Sequence, residues 1–535
     1  MVRDRVDRKI GLFTGEVFMF PSLARAVRLS LTCLLAATLV LLAFPRAAGA
    51  VPAFARKYQT SCNTCHTIYP VLNPFGEAFR RNGYRFPSQE GSSDSDSARA
   101  PTIPLGQPEF KDRFPDATWP SWIAQEIPLG FMINGAVAYN MPGSDAEAAA
   151  GDQSYTHSGI ISELHIFAAG AFSDKLTYFS EVNISGGGAD IESAYVLFND
   201  LLGPPHAVNL WVGRLFAPQL NSWGLHSSYL SDTVMPATTV QMLFNAGGGF
   251  GLPGGHSDGV ELNGILGHVF DYSIGWLASG SGAGLSPPTA ADVYAHVGLK
   301  LGGMSLDGEG AHGVNVQDPN KPWAETSVTI DAFGYHGKYM FDAGTAVPTG
   351  SGTPAFGQTD TITVVGGNLR VSLGSLLVAV GGQYEKHSQP FTGQPYQAPA
   401  ADGSTGEAFG VPDNTSASAI TQFNEIDYVV FPWLVPGVRT EYTTATRSGG
   451  DTVSMLRVIP GVAIGLRQNI RLILTADIEQ AKGIPFASRT SPSSPADPTA
   501  APAAGAWAPV GGALSGRTDS KTQAEQVNLV VSVAF

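Results

Sequence analysis

Gln526-Val527-Asn528-Leu529-Val530-Val531-Ser532-Val533-Ala534-Phe535 ends the chain, and its reading decides the fold. Successive side chains of a strand point to opposite faces, so Val527, Leu529, Val531, Val533 and Phe535 share one apolar side. Gln526, Asn528, Val530, Ser532 and Ala534 make a second side that is mostly small or polar. One face of this strand is built for an apolar phase and the other is not.

Upstream, the same alternation recurs from Leu129 onward in segments separated by Gly, Pro, Asn, Asp and Ser, the pattern of a transmembrane β-barrel. The predicted strands are 130–141, 159–171, 174–185, 189–200, 207–216, 257–266, 269–279, 291–301, 325–339, 359–371, 376–386, 419–431, 436–446, 452–464, 469–481 and 522–535. They number sixteen, and bacterial single-chain barrels have even counts. If both chain ends lie on the periplasmic side, the long connections fall at odd positions. The stretches 142–158, 217–256, 340–358, 387–418 and 482–521 do so, whereas Ser173, Gly267-His268 and Arg467-Gln468 are short even connections. The stretch 302–324 is a long connection on the short side, and an apolar piece from Val240 to Phe244 is left out of the count. A terminal aromatic on such a strand resembles the address that outer-membrane proteins show to their insertion machinery. The soluble alternative is a secreted β-sandwich or solenoid.

With apolar side chains toward lipid, Phe131, Ile133, Val137 and Tyr139 point out, and Met132, Asn134, Ala136 and Ala138 point into the lumen. The same rule turns His165 and the acids Glu163, Glu181, Glu192, Asp271, Glu425, Asp427, Asp477 and Glu479 inward, against the bases Arg214, Lys175 and Arg471. A carboxylate-rich lumen concentrates cations and could guide a divalent metal; the alternative is an ordinary hydrated polar interior.

Ahead of the strands stands Cys62-Asn63-Thr64-Cys65-His66, the C-x-x-C-H signal for covalent attachment of a c-type haem. The thiols add to the haem vinyl groups, and the adjacent histidine is the proximal iron ligand. A redox dithiol wants a surrounding βαβ pattern and a zinc site wants two further ligands, and neither is visible nearby. Ile68, Val71, Leu72, Phe75, Phe79 and Tyr84 are spaced as one side of a short interrupted helix, which would cover a haem or pack as an ordinary helix face. Between His66 and Met132 there is neither His nor Met. The iron is therefore five-coordinate or takes its distal ligand from beyond the 88–118 linker, with Met132 the first candidate and His165 the next. So few residues cannot enclose a macrocycle, so another part of the chain should complete the pocket.

Haem ligation requires export. Arg25 and Arg28 precede an apolar run from Leu29 to Phe44, and Ala48-Gly49-Ala50 supplies a cleavage site, which reads as a signal peptide over 1–50. Its removal takes away Cys33 together with seven Lys/Arg and three Asp/Glu, moving the formal charge from −14 to −18. Such a surface excludes nucleic acid as a natural partner. The histidines form no H-E-x-x-H spacing, the Gly-rich run 247–255 lacks the strand-to-helix setting of a phosphate loop, and no Ser-His-Asp arrangement stands out.

An exported C-x-x-C-H module joined to a barrel resembles the fused monohaem cytochrome-porin family, whose members include outer-membrane iron(II) oxidases. The residues that carry the resemblance are Pro52-Ala53-Phe54-Ala55-Arg56, Cys62-Asn63-Thr64-Cys65-His66, and Leu72-Asn73-Pro74-Phe75-Gly76 with Phe79 and Gly83-Tyr84. Ile191 to Asn199 and Asn209 to Phe216 look more generally like phosphate-selective-type porins. The expected architecture is an all-β transmembrane barrel of about 16 antiparallel strands over 128–535, with a small N-terminal α-helical c-type haem module over 51–127. The resemblance implies one covalent haem c in the outer membrane, in or beneath the lumen. It implies electron transfer from iron(II) or a similar donor to a periplasmic c-type cytochrome. A diffusion porin with a haem plug or gate, and electron export to an external acceptor, are the alternatives.

Overall fold

The computed structural model describes residues 54–55, 60–85, 102–104, 112–113, 122–124, 129–140, 156–157, 163–173, 175–185, 188–216, 229–230, 256–278, 292–308, 321–342, 357–390, 396–399, 405–409, 415–448, 452–482 and 521–534. The leader assigned to 1–50, most of the 88–118 linker, the Val240 to Phe244 piece and Phe535 lie outside the described residues.

Sixteen long strands form the barrel. The first eight are β1 (Leu129–Asn140), β2 (Glu163–Ser173), β3 (Leu176–Ser185), β4 (Gly188–Phe198), β5 (Asn209–Phe216), β6 (His256–Leu266), β7 (Phe270–Leu277) and β8 (Asp292–Gly302). The rest are β9 (Glu325–Asp342), β10 (Gly357–Gly374), β11 (Leu376–His387), β12 (Ala417–Tyr428), β13 (Leu434–Arg447), β14 (Thr452–Arg467), β15 (Ile470–Lys482) and β16 (Lys521–Ala534). Each pairs antiparallel with its neighbours, and β16 closes on β1 from Gln526↔Asn140 to Ala534↔Met132. Closure gives each long strand a partner on both sides, which is what a lipid phase demands of strands. All sixteen sequence-predicted strands are present, with ends moved by a few residues.

Period-two sorting explains the wall. Along β12, Ala417, Ala419, Thr421, Phe423, Glu425 and Asp427 are buried inside, while Ile420, Ile426 and Tyr428 are 61%, 46% and 51% exposed on the outside. Ile274, Val297, Leu301, Ile330 and Val365 continue the outer apolar band. Phe431 and Trp433 stack at 5.3 Å in the β12–β13 turn, where an interfacial aromatic girdle belongs. In water each large apolar side chain so exposed would forgo about 1.5–3 kcal/mol of burial, and lipid removes that cost.

The lumen is less polar than the sequence suggested. Leu215, Leu277, Tyr294, Phe333, Tyr335, Ile362, Val364 and Phe423 form a buried apolar cluster on inward positions. Residues 60–85 also lie inside the barrel, because their partners come from opposite walls. Tyr84 donates or accepts a 2.9 Å hydroxyl contact with Tyr195 of β4, Arg81 pairs with Asp271 of β7, and Glu77 with Arg370 of β10. On the far side, Ile68 and Val71 pack with Val435 of β13 and Ala463 of β14.

The segment's helix differs from the sequence reading. Helix α1 covers only Pro74–Arg81, and Cys62–Thr64 forms a 3-10 turn. Ile68 and Val71 face the β13–β14 side, whereas Phe75, Phe79 and Tyr84 join Leu197, so the six residues do not share one face. Pro70 and Pro74 lack the amide hydrogen that would carry one helix across 66–74. At the described start of the 302–324 connection, the Asn82 amide donates to the Asp307 carbonyl at 2.6 Å, which ties the luminal segment to it.

Candidate functional site

Asn73 shapes the C-x-x-C-H loop. Its side-chain oxygen caps α1 by accepting from the Gly76 amide at 3.0 Å, and its nitrogen donates to the Asn63 and Thr64 carbonyls at 3.1 Å each. Pro74 follows at the first helical position, where a missing amide hydrogen is harmless. Gly76 lets the helix lie against the loop: an added Cβ would sit 2.1 Å from the Cys65 carbonyl oxygen.

These devices bring Cys62, Cys65 and His66 to one cavity. Phe54, Leu72, Phe79 and Tyr84 line it from the segment, and Phe167, Phe179, Tyr195 and Glu181 line it from the barrel. The cavity holds about 1360 Å³ of empty space, solvent at its mouth included. The barrel thus supplies the enclosure that the short module lacks. Phe54 stacks on Tyr84 at 5.2 Å, Tyr84 on Phe179 at 5.2 Å, and Tyr195 on Trp211 at 5.3 Å, giving a rigid aromatic wall.

The donor set fits a c-type haem. His66 Nδ1 donates to the Pro70 carbonyl at 2.9 Å, which in a neutral ring puts the lone pair on Nε2. Histidines that bind metal are oriented in this way by a carbonyl partner. Both cysteines are free thiols, and burial raises the Cys62 pKa and pushes Cys65 up to about 12. A redox dithiol needs the opposite shift, so the pair is poorly suited to thiol exchange. Arg80 is the cation on the lining.

Met132 is 2% exposed and in register with His165, next to Phe131 of the lining, but it is not itself on the cavity. His165 is likewise buried, between the Glu181 and Glu163 carboxylates at 3.0 and 3.2 Å.

Among the described residues, several of the other luminal acids face arginines. Glu425 faces Arg439 at 3.9 Å, Glu441 takes Arg439 at 2.7 Å and Arg457 at 2.9 Å, and Asp477 takes Arg457 at 2.5 Å. Arg439 and Arg457 occupy the same inward register as those acids, so alternation could have found them. Lys175, counted as luminal from the sequence, lies in the β2–β3 turn with its side chain 68% exposed.

The assembled features define a class: a lipid-facing β-barrel with a luminal segment wedged across one end. No protein-family model matches the chain, and no curated protein matches it. The barrel is similar to several outer-membrane structures. OmpT of Vibrio cholerae is 10% identical over 76% of this chain and 97% of its own, with a TM-score of 0.44. An anion-selective porin from Comamonas acidovorans is 12% identical over 76% and 98%, with a TM-score of 0.44. Salmonella typhi OmpF, in complex with daunomycin, is 9% identical over 76% and 97%, with a TM-score of 0.39.

Proposed function

We propose that this chain is an outer-membrane barrel that carries one haem c in its lumen and passes electrons between the cell exterior and the periplasm. The observation that carries this reading is the convergence of Cys62, Cys65 and His66 on an aromatic cavity inside the barrel wall. A bound haem would supply a one-electron site within a wall that otherwise insulates. Cys62 and Cys65 would hold it covalently and His66 Nε2, aimed by the Pro70 carbonyl, would bind the iron; Met132, buried beside Phe131 but off the lining, would serve as distal ligand only by turning its thioether into the cavity. The apolar faces of Phe54, Phe79, Tyr84, Phe167 and Phe179 would cover much of the macrocycle and limit its contact with water. Iron(II) or a similar reduced donor on the outer side and a periplasmic c-type cytochrome on the inner side complete the proposal. Mixing purified protein with iron(II) should reduce the haem; an accessible haem that stays oxidised counts against iron oxidation.

A second reading, a diffusion porin gated by residues 60–85, is favoured by the closed sixteen-strand wall. Electron uptake separates the two: a folded barrel that takes no electron from an external donor supports diffusion, and reduction of a bound haem supports the conduit.

A further inference from the structure

We propose that His165, Glu181 and Glu192 form a binding site for one divalent first-row transition-metal cation, on the lumen wall beside the cysteine-lined cavity. The proposal deepens the electron-transfer reading, on which the choice of iron(II) as the physiological cation rests.

The three side chains come from adjacent strands β2, β3 and β4, and one donor atom from each lies within 4.8 Å of the others. His165 Nδ1 is 3.0 Å from Glu181 Oε1 and 3.9 Å from Glu192 Oε2. Bonds of about 2.1 Å to one ion set donor separations of about 3.0 Å in an octahedron and about 3.4 Å in a tetrahedron, so small side-chain movements suffice. Imidazole with two carboxylates is a nitrogen-oxygen set suited to iron(II), manganese(II) or zinc.

The surroundings already do what outer groups do around a metal. His165 Nε2 donates to Glu163 Oε2 at 3.2 Å, which leaves Nδ1 to carry the lone pair once an ion replaces its proton. Asn134 donates to Glu163 at 3.3 Å, and Asn183 donates to Glu192 at 2.8 Å. The Asn183 amide oxygen is buried and has no hydrogen-bond partner among the described residues.

The backbone supplies an independent sign. Glu181 pairs with Ser193 while Val182 pairs with Ile191, so Glu192 is the extra residue of a β-bulge. Ile191, 50% exposed, points to lipid, and Ser193, 2% exposed, points to the lumen. The bulge therefore turns two consecutive residues inward and delivers the Glu192 carboxylate to His165, the re-aiming for which bulges are used. Glu181 also lines the cavity of Cys62, Cys65 and His66, so a cation here lies against the same pocket.

The test is a manganese(II) titration of the purified full-length protein, with free ion read by electron paramagnetic resonance. One site per chain is expected, weakened at least 10-fold in Glu181→Gln/Glu192→Gln and about 10-fold in Glu163→Gln. Folded wild-type protein without a stoichiometric site, or a site retained at full affinity in the double variant, overturns the proposal. If the double variant does not fold, His165→Gln gives the same decision. The titration needs no haem reduction. Cation binding without electron uptake would sink the electron-transfer reading alone, and electron uptake without cation binding would sink this site alone.

Discussion

Glu77 sits where α1 meets the barrel, and replacing it with glutamine should loosen the luminal segment without altering the wall. Its carboxylate is 3.4 Å from Arg370 of β10 and 3.9 Å from Arg81, with 10% of its side chain exposed. At an effective dielectric near 20 these separations correspond to gross attractions of about 5 and about 4 kcal/mol. The desolvation of Glu77 offsets much of that, and loss of one member of a buried pair typically costs about 3–5 kcal/mol. Taking the lower end, Glu77→Gln should raise the undocked population about 100-fold, since about 1.4 kcal/mol is a factor of ten. In planar bilayers the wild type should be mostly closed and the variant should show bursts of open, porin-sized conductance. Acid should mimic the variant. Burial raises the Glu77 pKa, but Arg370, Arg81, Arg80 and Lys300 together outweigh it and leave the carboxyl below its ordinary value of 4.5. The stabilisation of docking is thus fully present above about pH 4.5 and is lost as pH falls through the depressed value. A folded Glu77→Gln barrel with wild-type conductance at pH 7, or a wild type insensitive to acid, would refute this account of docking.

Three further outcomes follow from the site. Gly76→Ala puts a methyl group 2.1 Å from the Cys65 carbonyl oxygen, an overpacking of about 1–3 kcal/mol, and should lower haem content per folded barrel; unchanged absorbance would contradict it. Met132→Ala should turn a low-spin haem spectrum high-spin if its thioether completes the iron coordination, and an unchanged spectrum removes Met132 from that role. Arg85→Ala should raise the Asp200 pKa from about 2 toward its ordinary value. Burial pushes that carboxyl up, but the Arg85 hydrogen bond and the His206 amide more than compensate, and NMR titration of the carboxyl carbon measures the change.

The barrel was legible because strands such as β12 and β16 carry a clean period of two, and a slip of one residue would have placed Glu425 and Asp427 in lipid. The C-x-x-C-H loop was legible in Cys62, Cys65 and His66, whereas the helix start at Pro74, capped by Asn73, was not, because the apolar spacing was read as one helix from Ile68 to Tyr84. The pocket wall was not. Phe167 and Phe179 share the inward register with His165 and Glu181, yet a rule sending apolar side chains to lipid hides them. Aromatic residues on a luminal register signal a filled lumen, and the cluster around Phe333, Tyr335 and Phe423 carries the same signal. The Arg439 and Arg457 ion pairs were missed because the bases weighed against the acids were Arg214, Lys175 and Arg471 alone. The split of Ile68 and Val71 from Phe75 and Phe79 depends on which barrel wall each meets, which no local spacing encodes.

Expression in a host that matures c-type cytochromes, followed by a pyridine haemochrome assay on denatured protein, bears most directly on the central claim. One thioether-linked haem per chain is predicted, absent from Cys62→Ala/Cys65→Ala. A correctly folded wild-type barrel that is colourless would contradict it.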